Sequence, residues 1–256
     1  MTTRHNYFDG EAESYPLEVG STYTQARKWQ LVKENLPKKG LVMDVGSASG
    51  RHALKITSNQ ITVLAIDPSY EMTRKLMQKT QGQMIRESVI PCAAALPHLP
   101  FTQRAFDTIY CFSTLLLLPK AKQRESLVNM AKLLKNEGTL IVDVANSWSL
   151  GIHYWNKYYR KKGFSGIFGY KKRELCRIFS ELGLQIELME SHGLLTQLLL
   201  LPGLDRSHIL GHALRGNSKK KGWDAAASSI IPFLAERWYI VARFPRNIDA
   251  NVAHTP

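Results

Sequence analysis

Within residues 24–36, Trp29, Val32 and Leu36 recur at helical spacing, which predicts an amphipathic helix ended by Pro37 and Gly40. The period then changes. Residues 41–45 are a short apolar run entering Gly46, and 51–56 read as a helix. Residues 61–66 are rich in β-branched side chains and stop at Asp67-Pro68, while 70–79 place Met72, Leu76 and Met77 on one helical face. Residues 106–112 predict a strand. Residues 122–135 predict a helix with Leu127, Ala131 and Leu134 in register, and 139–145 a strand after the turn at Gly138. Strands alternating with helices predict an α/β, Rossmann-like, doubly wound and mostly parallel sheet with helices on both faces.

Further on, 171–182 read as a helix, 184–190 as a strand and 238–244 as a closing strand, which gives six of the seven strands expected of the sheet. Residues 193–236 interrupt this plan with an apolar stretch, Pro202, several glycines and Lys219 to Lys221, and predict a helical insertion over the sheet edge. The chain of 256 residues therefore reads as one domain: an N-terminal helical segment (1–40), a cofactor-binding core (41–150) and a substrate-side cap (151–182 and 193–236). Residues 247–256 read as a frayed tail.

Charge changes the picture of the second part. The formal charge is +13, of which +5 falls in 1–150 and +8 in 151–256. The excess clusters at Lys157, Arg160, Lys161 and Lys162, at Lys171 to Arg173, and at Lys219 to Lys221. Such clusters attract nucleic acid, anionic lipid heads or anionic substrates, and also serve as solvated surface. Cys92, Cys111 and Cys176 are far apart in apolar segments, with neither disulfide nor metal-ligand spacing. They read as small core residues in a reducing, cytoplasmic protein with no metal site. The start of the chain lacks a signal-peptide stretch, and no apolar run is long enough to span a membrane.

In open α/β sheets ligands bind beyond the carboxyl ends of the strands where strand order reverses, so the first strand and its loop matter most. The loop reads Asp44-Val45-Gly46-Ser47-Ala48-Ser49-Gly50, with small residues at 46, 48 and 50 and the start of a predicted helix to receive an anionic group. A dinucleotide fingerprint would carry glycine at 48 and 51, where this chain has Ala48 and Arg51, and Asp44 would repel a pyrophosphate. A cofactor with an ammonium and a sulfonium suits that aspartate better. Asp67 lies 21 positions past Gly46 at the end of the second strand, where a carboxylate can accept from both ribose hydroxyls or cap the helix over 70–79.

These residues resemble the class I S-adenosylmethionine-dependent methyltransferases, nearest in style to the quinone-biosynthesis type that acts on small molecules. Residues 44–50 resemble the family's acidic-x-Gly-x-Gly-x-Gly motif, and Ile66-Asp67-Pro68-Ser69 with Met72 its second motif. Leu99-Pro100-Phe101 with Phe106-Asp107, Leu133 to Gly138, and Tyr7-Phe8-Asp9 with Arg27 extend the likeness over 7–145. The resemblance implies S-adenosyl-L-methionine as cofactor and S-adenosyl-L-homocysteine as product. It implies binding by Asp44, Gly46, Ser47, Ala48, Gly50, Asp67, Pro68, Met72, Ala94, Ala95, Leu96 and Phe112. Ala93-Ala94-Ala95 replaces the family's acidic adenine partner, so backbone near Ala95 and Leu96 would serve the adenine. Ala48 replaces the middle glycine, a change suited to a negative φ.

A sulfonium methyl is already activated, so alignment of the acceptor supplies most of the acceleration and a base is optional. Among His98, His153 and His192, the last two follow carboxyl ends of strands and are the candidate bases, with surface or core roles as the alternative. Tyr15, Tyr23, Trp148, Tyr154, Trp155 and Tyr158 are the candidate acceptor residues, most of them in an aromatic segment after the fifth strand that could equally be helix packing. The expected acceptor is a small molecule, anionic or partly apolar, with peripheral membrane contact compatible with the basic clusters. An RNA methyltransferase, a non-catalytic cofactor-binding module and a nucleotide-dependent dehydrogenase are the alternatives; oligomeric state is not specified.

Overall fold

Leu41, Val42, Val45, Val63 and Ile66 can bury side chains on both faces of a strand, and the sheet is built where such runs occur. In the computed structural model, which describes residues 4–15, 22–56, 58–81, 88–201, 204 and 208–245, these runs form β1 (Gly40–Val45) and β2 (Ile61–Asp67). The sheet continues with β3 (Val89–Ala93), β4 (Phe106–Cys111), β5 (Leu134–Asn146), β7 (Gln185–His192) and β8 (Arg237–Arg243). Their order is β3-β2-β1-β4-β5-β8-β7, and the two-residue β6 (Gly169–Tyr170) pairs with β5. All pairs are parallel except β5 with β8 and β8 with β7. The expected mostly parallel, doubly wound sheet is present, and the order reverses at β1, whose neighbours are β2 and β4.

Two apolar layers cover the faces. One joins Met43, Ile109, Leu140 and Ile240 to Leu127, Met130 and Leu133 of α4 (Lys120–Leu133) and Leu175 and Phe179 of α6 (Lys172–Glu181). The other joins Val42, Val63, Tyr110 and Ile141 to Leu31 and Val32 of α2 (Tyr23–Glu34) and Leu76 of α3 (Tyr70–Thr80). The helix expected over 122–135 stops earlier, because Leu134 turns extended and pairs with Phe106 as the first residue of β5.

Four further α-helices among the described residues have bounds that the periodicity did not predict. α1 (Arg4–Glu11) lies on α3, where Asp9 Oδ1 accepts from Ser69 Oγ at 2.5 Å and from the Glu71 amide at 3.2 Å, and Tyr7 and Phe8 meet Phe164 edge to face. α5 (Ile152–Lys161) carries the aromatic segment. The insertion between β7 and β8 resolves into a 3-10 segment (Leu195–Leu200), α7 (His208–Arg215) and α8 (Trp223–Ile230). The tail 247–256 lies outside the described residues. Of the cysteines, Cys111 is buried and Cys92 half-buried, but Cys176 is exposed on α6, against the expectation that all three are core. Among the described residues no helix is long and apolar enough to cross a membrane.

Candidate active site

The crevice at the reversal point is set by backbone conformation. Gly46 (φ +76°) and Gly50 (φ +87°) are left-handed, and a Cβ at either would strike Thr114 or Leu76, so both glycines are required by the protein's own packing. Ala48 is left-handed too (φ +46°), contrary to the negative φ expected of it. Its amide donates to Asp67 Oδ2 at 2.8 Å, and the Ser69 amide donates to Asp67 Oδ1 at 2.9 Å. Asp67 therefore pins the loop and supports the start of α3, whose cap is Ser69 Oγ accepting from the Met72 amide.

The helix expected over 51–56 is a single 3-10 turn, Ala53–Lys55. The start expected there to receive an anion is therefore not an α-helix. Arg51 and His52 supply side chains instead. They line a solvent-open cleft together with Tyr15, Gln25, Lys28, Asp44, Gly46, Ser47, Ala48, Phe112 and Ser113. Three atoms on this wall are buried without a hydrogen-bond partner: Asp44 Oδ2, Arg51 Nε and His52 Nε2. Burial pushes the Asp44 carboxyl up to about 7; the nearby Tyr110 hydroxyl offsets part of this, though neither atom completes a hydrogen bond of good geometry. Burial, aided by Lys28, Arg51 and Lys55, lowers His52 to about 3, so its imidazole is neutral. The Arg51 guanidinium sits 5.1 Å from the Tyr15 ring centroid.

Behind the cleft lies a buried charge cluster. Lys28 Nζ is 2.6 Å from Asp143 Oδ2 and donates to Ser113 Oγ at 2.9 Å. The Ser113 amide donates to Asp143 Oδ1, and Arg237 lies 3.3 Å from Asp143 Oδ2. Ser113 is left-handed (φ +56°), a strained backbone held by these two bonds. Burial alone would raise the Asp143 carboxyl, but Lys28 and Arg237 hold it below the usual range; burial lowers Lys28 against the pull of Asp143.

Asp44, Gly46, Ser47, Ala48, Phe112 and Tyr15 come together on the cleft wall, and Gly50, Asp67, Pro68 and Met72 lie in the loop and helix start behind it. Ala94 is tied by its amide to the Asp67 carbonyl, but Ala94, Ala95 and Leu96 do not line the cleft. The aromatic segment divides rather than forming one wall. Trp155 and Tyr159 pack inward near Phe164, while Tyr154 and Tyr158 are exposed. Trp148 is exposed and meets the Phe233 ring. His153 stands exposed on the outer side of α5, in a groove with Lys157, Arg160 and Lys161. His98 is exposed as well. His192 is buried at the end of β7, with Nε2 3.3 Å from Glu190 Oε2 and its ring 4.3 Å from Tyr239; Tyr23 is a more distant ring neighbour. Burial would raise Glu190, but His192 and Arg27, the latter bonding both carboxylate oxygens, hold it at about 2. Sequence reading missed Lys28, His52, Ser113, Asp143 and Arg237. Only Asp143 carried a signal, a lone carboxylate inside the apolar run 140–144.

Known proteins share this architecture. Residues 42–138 match the family described as "Methyltransferase domain". The chain is 25% identical over 146 residues to the putative methyltransferase YqeM of Bacillus subtilis (strain 168); the match covers 56% of this chain and spans 57% of the length of that relative. Among solved structures, geranyl diphosphate C-methyltransferase from Streptomyces coelicolor A3(2), in complex with Mg2+, geranyl diphosphate and S-adenosyl-L-homocysteine, superposes with TM-score 0.64 at 12% identity, over 95% of this chain and 100% of that one. The [4+2]-cyclase SpnF superposes with TM-score 0.64 at 18% identity, over 93% and 91%.

Proposed function

We propose that the chain, whose residues 42–138 match a methyltransferase domain family, transfers the methyl group of S-adenosylmethionine to a small-molecule acceptor at the cleft between β1 and β4. The observation that carries this is the pairing of unsatisfied groups on one wall. Asp44 Oδ2 is an acceptor without a donor, and Arg51 Nε a donor without an acceptor. A zwitterion with one ammonium and one carboxylate satisfies both, which is the chemistry of the cofactor's methionine end. When bound, the cofactor supplies an already activated methyl group.

The chain's own residues do the rest. Asp44 would receive the ammonium and Arg51 the carboxylate, with Asp67 the acceptor for the ribose hydroxyls. Tyr15 and Phe112 wall the cleft with rings and keep water out. Lys28 and Ser113, fixed through Asp143, present a polar floor for the acceptor, so an acceptor with an anionic or hydroxyl group beside an apolar body fits best. His52 is neutral and too weak a base to take an acceptor proton. His192 is buried against Tyr239 at the end of β7 and does not line the cleft, so we assign the acceptor's proton to no side chain. His153, on the outer face of α5, takes no part. The quinone-biosynthesis resemblance rests on cofactor motifs, which do not touch the acceptor.

Calorimetry with S-adenosylmethionine and S-adenosylhomocysteine tests the reading. Wild type should bind both, and Arg51→Ala should weaken binding at least tenfold; absence of binding by wild type would sink the proposal. A second reading rests on the fold, which also carries a [4+2]-cyclase. Cofactor binding with a donor assay silent toward every acceptor class would favour it. RNA binding with a steep salt slope would instead favour a nucleic-acid acceptor.

A further inference from the structure

α8 is amphipathic the wrong way round. Its inward face is polar: the Asp224 carboxylate accepts from the Gly193 and Thr196 amides, both at 2.9 Å, and Ser228 bonds the Leu194 amide and Ser191 Oγ. Its outward face is apolar, with Trp223 67% and Ile230 78% exposed, seven residues apart and so on one side of the helix. The same apolar exposure continues through the rest of the insertion, at Ile209 (87%) on α7 and at Leu201 and Phe233, and reaches Trp148 through its ring contact with Phe233. An exposed apolar surface of this extent on a folded chain marks an interaction site.

Its charges select the partner. Among the described residues of 193–235 the outward charges are all cationic, Arg215 and Lys219 to Lys221, while the carboxylate of Asp224 is buried. Lys171 Nζ adds a cation 5.1 Å from the Trp148 ring centroid. Tryptophan and large aliphatic side chains rimmed by lysine and arginine match the boundary between headgroups and acyl chains of an anionic bilayer. A second copy of this chain would bring two cationic faces together, and RNA has no use for Ile209, Ile230 or Leu201.

We infer that the insertion between β7 and β8 docks the protein on an anionic lipid surface, with Trp223 and Ile230 entering the interface and Lys219 to Lys221 contacting headgroups. The insertion leaves β7 after His192 and rejoins the sheet at Arg237, at the carboxyl edge that also carries the cleft. Docking therefore sets the cleft's edge of the sheet near the membrane. The inference is independent of methyl transfer.

Flotation of the full chain with phosphatidylcholine vesicles, and with phosphatidylcholine/phosphatidylglycerol vesicles, tests it. Binding is expected to the anionic vesicles only, with a blue shift of tryptophan emission and quenching by brominated acyl chains. Lys219→Gln/Lys220→Gln/Lys221→Gln should weaken binding by about tenfold or more. Ile230→Asp, at an exposed position that leaves the fold intact by circular dichroism, should abolish the blue shift. No binding at low salt overturns the inference. So does binding without an emission shift, or binding unaffected by Ile230→Asp, either of which means adsorption by net charge. A dimer in sedimentation that Ile230→Asp dissolves, or RNA binding without vesicle binding, overturns it in favour of those partners.

Discussion

Asp44 is a carboxylate that folding buries without completing its hydrogen bonds, and two consequences follow from its pKa of about 7. The folded value lies above the unfolded one, so folding takes up a proton between the two, and stability falls as pH rises from about 4 to about 7, by on the order of 4 kcal/mol. Asp44→Asn is therefore expected to raise the thermal midpoint of the ligand-free protein at pH 8 while weakening cofactor binding at least tenfold. A lower midpoint would mean that the carboxylate has a partner after all. Because the ammonium needs an ionised Asp44, S-adenosylmethionine affinity should rise from pH 6 toward 7.5. It should then level as the ligand's own amine, of ordinary pKa about 8, loses its proton. Calorimetry across pH on wild type and Asp44→Asn reads this directly, and the variant should be flat through that range. Ala48 gives a separate expectation. Its left-handed backbone costs about 1–2 kcal/mol and glycine gives part of this back through unfolded-state entropy, so Ala48→Gly should stabilise by about 0.5–1 kcal/mol, read as a higher urea midpoint at unchanged slope. Asp44 and Asp67 were legible because a motif and a fixed spacing mark them. The conformation of Ala48 was not, since nothing in its side chain reports that Asp67 Oδ2 pulls its amide into place.

At the scale of elements, the Lys28–Asp143–Arg237 cluster ties α2, β5 and β8 together behind the cleft. Lys28→Met leaves Asp143 with one cation fewer in a buried site and should cost about 3–5 kcal/mol, whereas Lys28→Met/Asp143→Leu should recover only part of it, because Arg237 and the Ser113 amide then lose their carboxylate. Denaturant melts of these variants and of Asp143→Leu separate this from a loss of packing: a double-variant cost equal to the sum of the two single costs would show that the charges do not interact. The held-down Asp143 carboxyl contributes stability above its unfolded pKa, and this is lost as the protein is acidified below about pH 4. The cluster was invisible in the sequence because its members lie in three elements more than a hundred positions apart at the extremes. Periodicity did reveal α2, α3 and the main strands. It overreached at 51–56, where Arg51 and His52 turn toward the cleft and only a 3-10 turn forms, and at Leu134, where pairing with Phe106 overrides the helical register. It missed α8, because a helix that buries Asp224 and Ser228 and exposes Trp223 and Ile230 inverts the usual pattern.

For the whole molecule, ligand binding and folding are linked. Saturation with S-adenosylhomocysteine at about a hundred times its Kd should stabilise the chain by about 2.7 kcal/mol, a rise in Tm of roughly 5–10 °C. A ligand that shifts Tm as much in Asp44→Asn as in wild type is not using the cleft. The sequence by itself determined the strand–helix alternation, the doubly wound sheet, the loop at residues 44–50 and its partner Asp67, because these depend on local period and on spacings within one or two elements. Only the tertiary structure decided which groups face the cleft. It put Arg51 and His52 on the cleft wall, where neither His153 nor His192 lies, and set Ser113 on Lys28 and Asp143. The physical reason is that burial and hydrogen-bond satisfaction are properties of the packed chain: a residue type states what bonds a group can make, and packing alone states which of them are left open for a ligand.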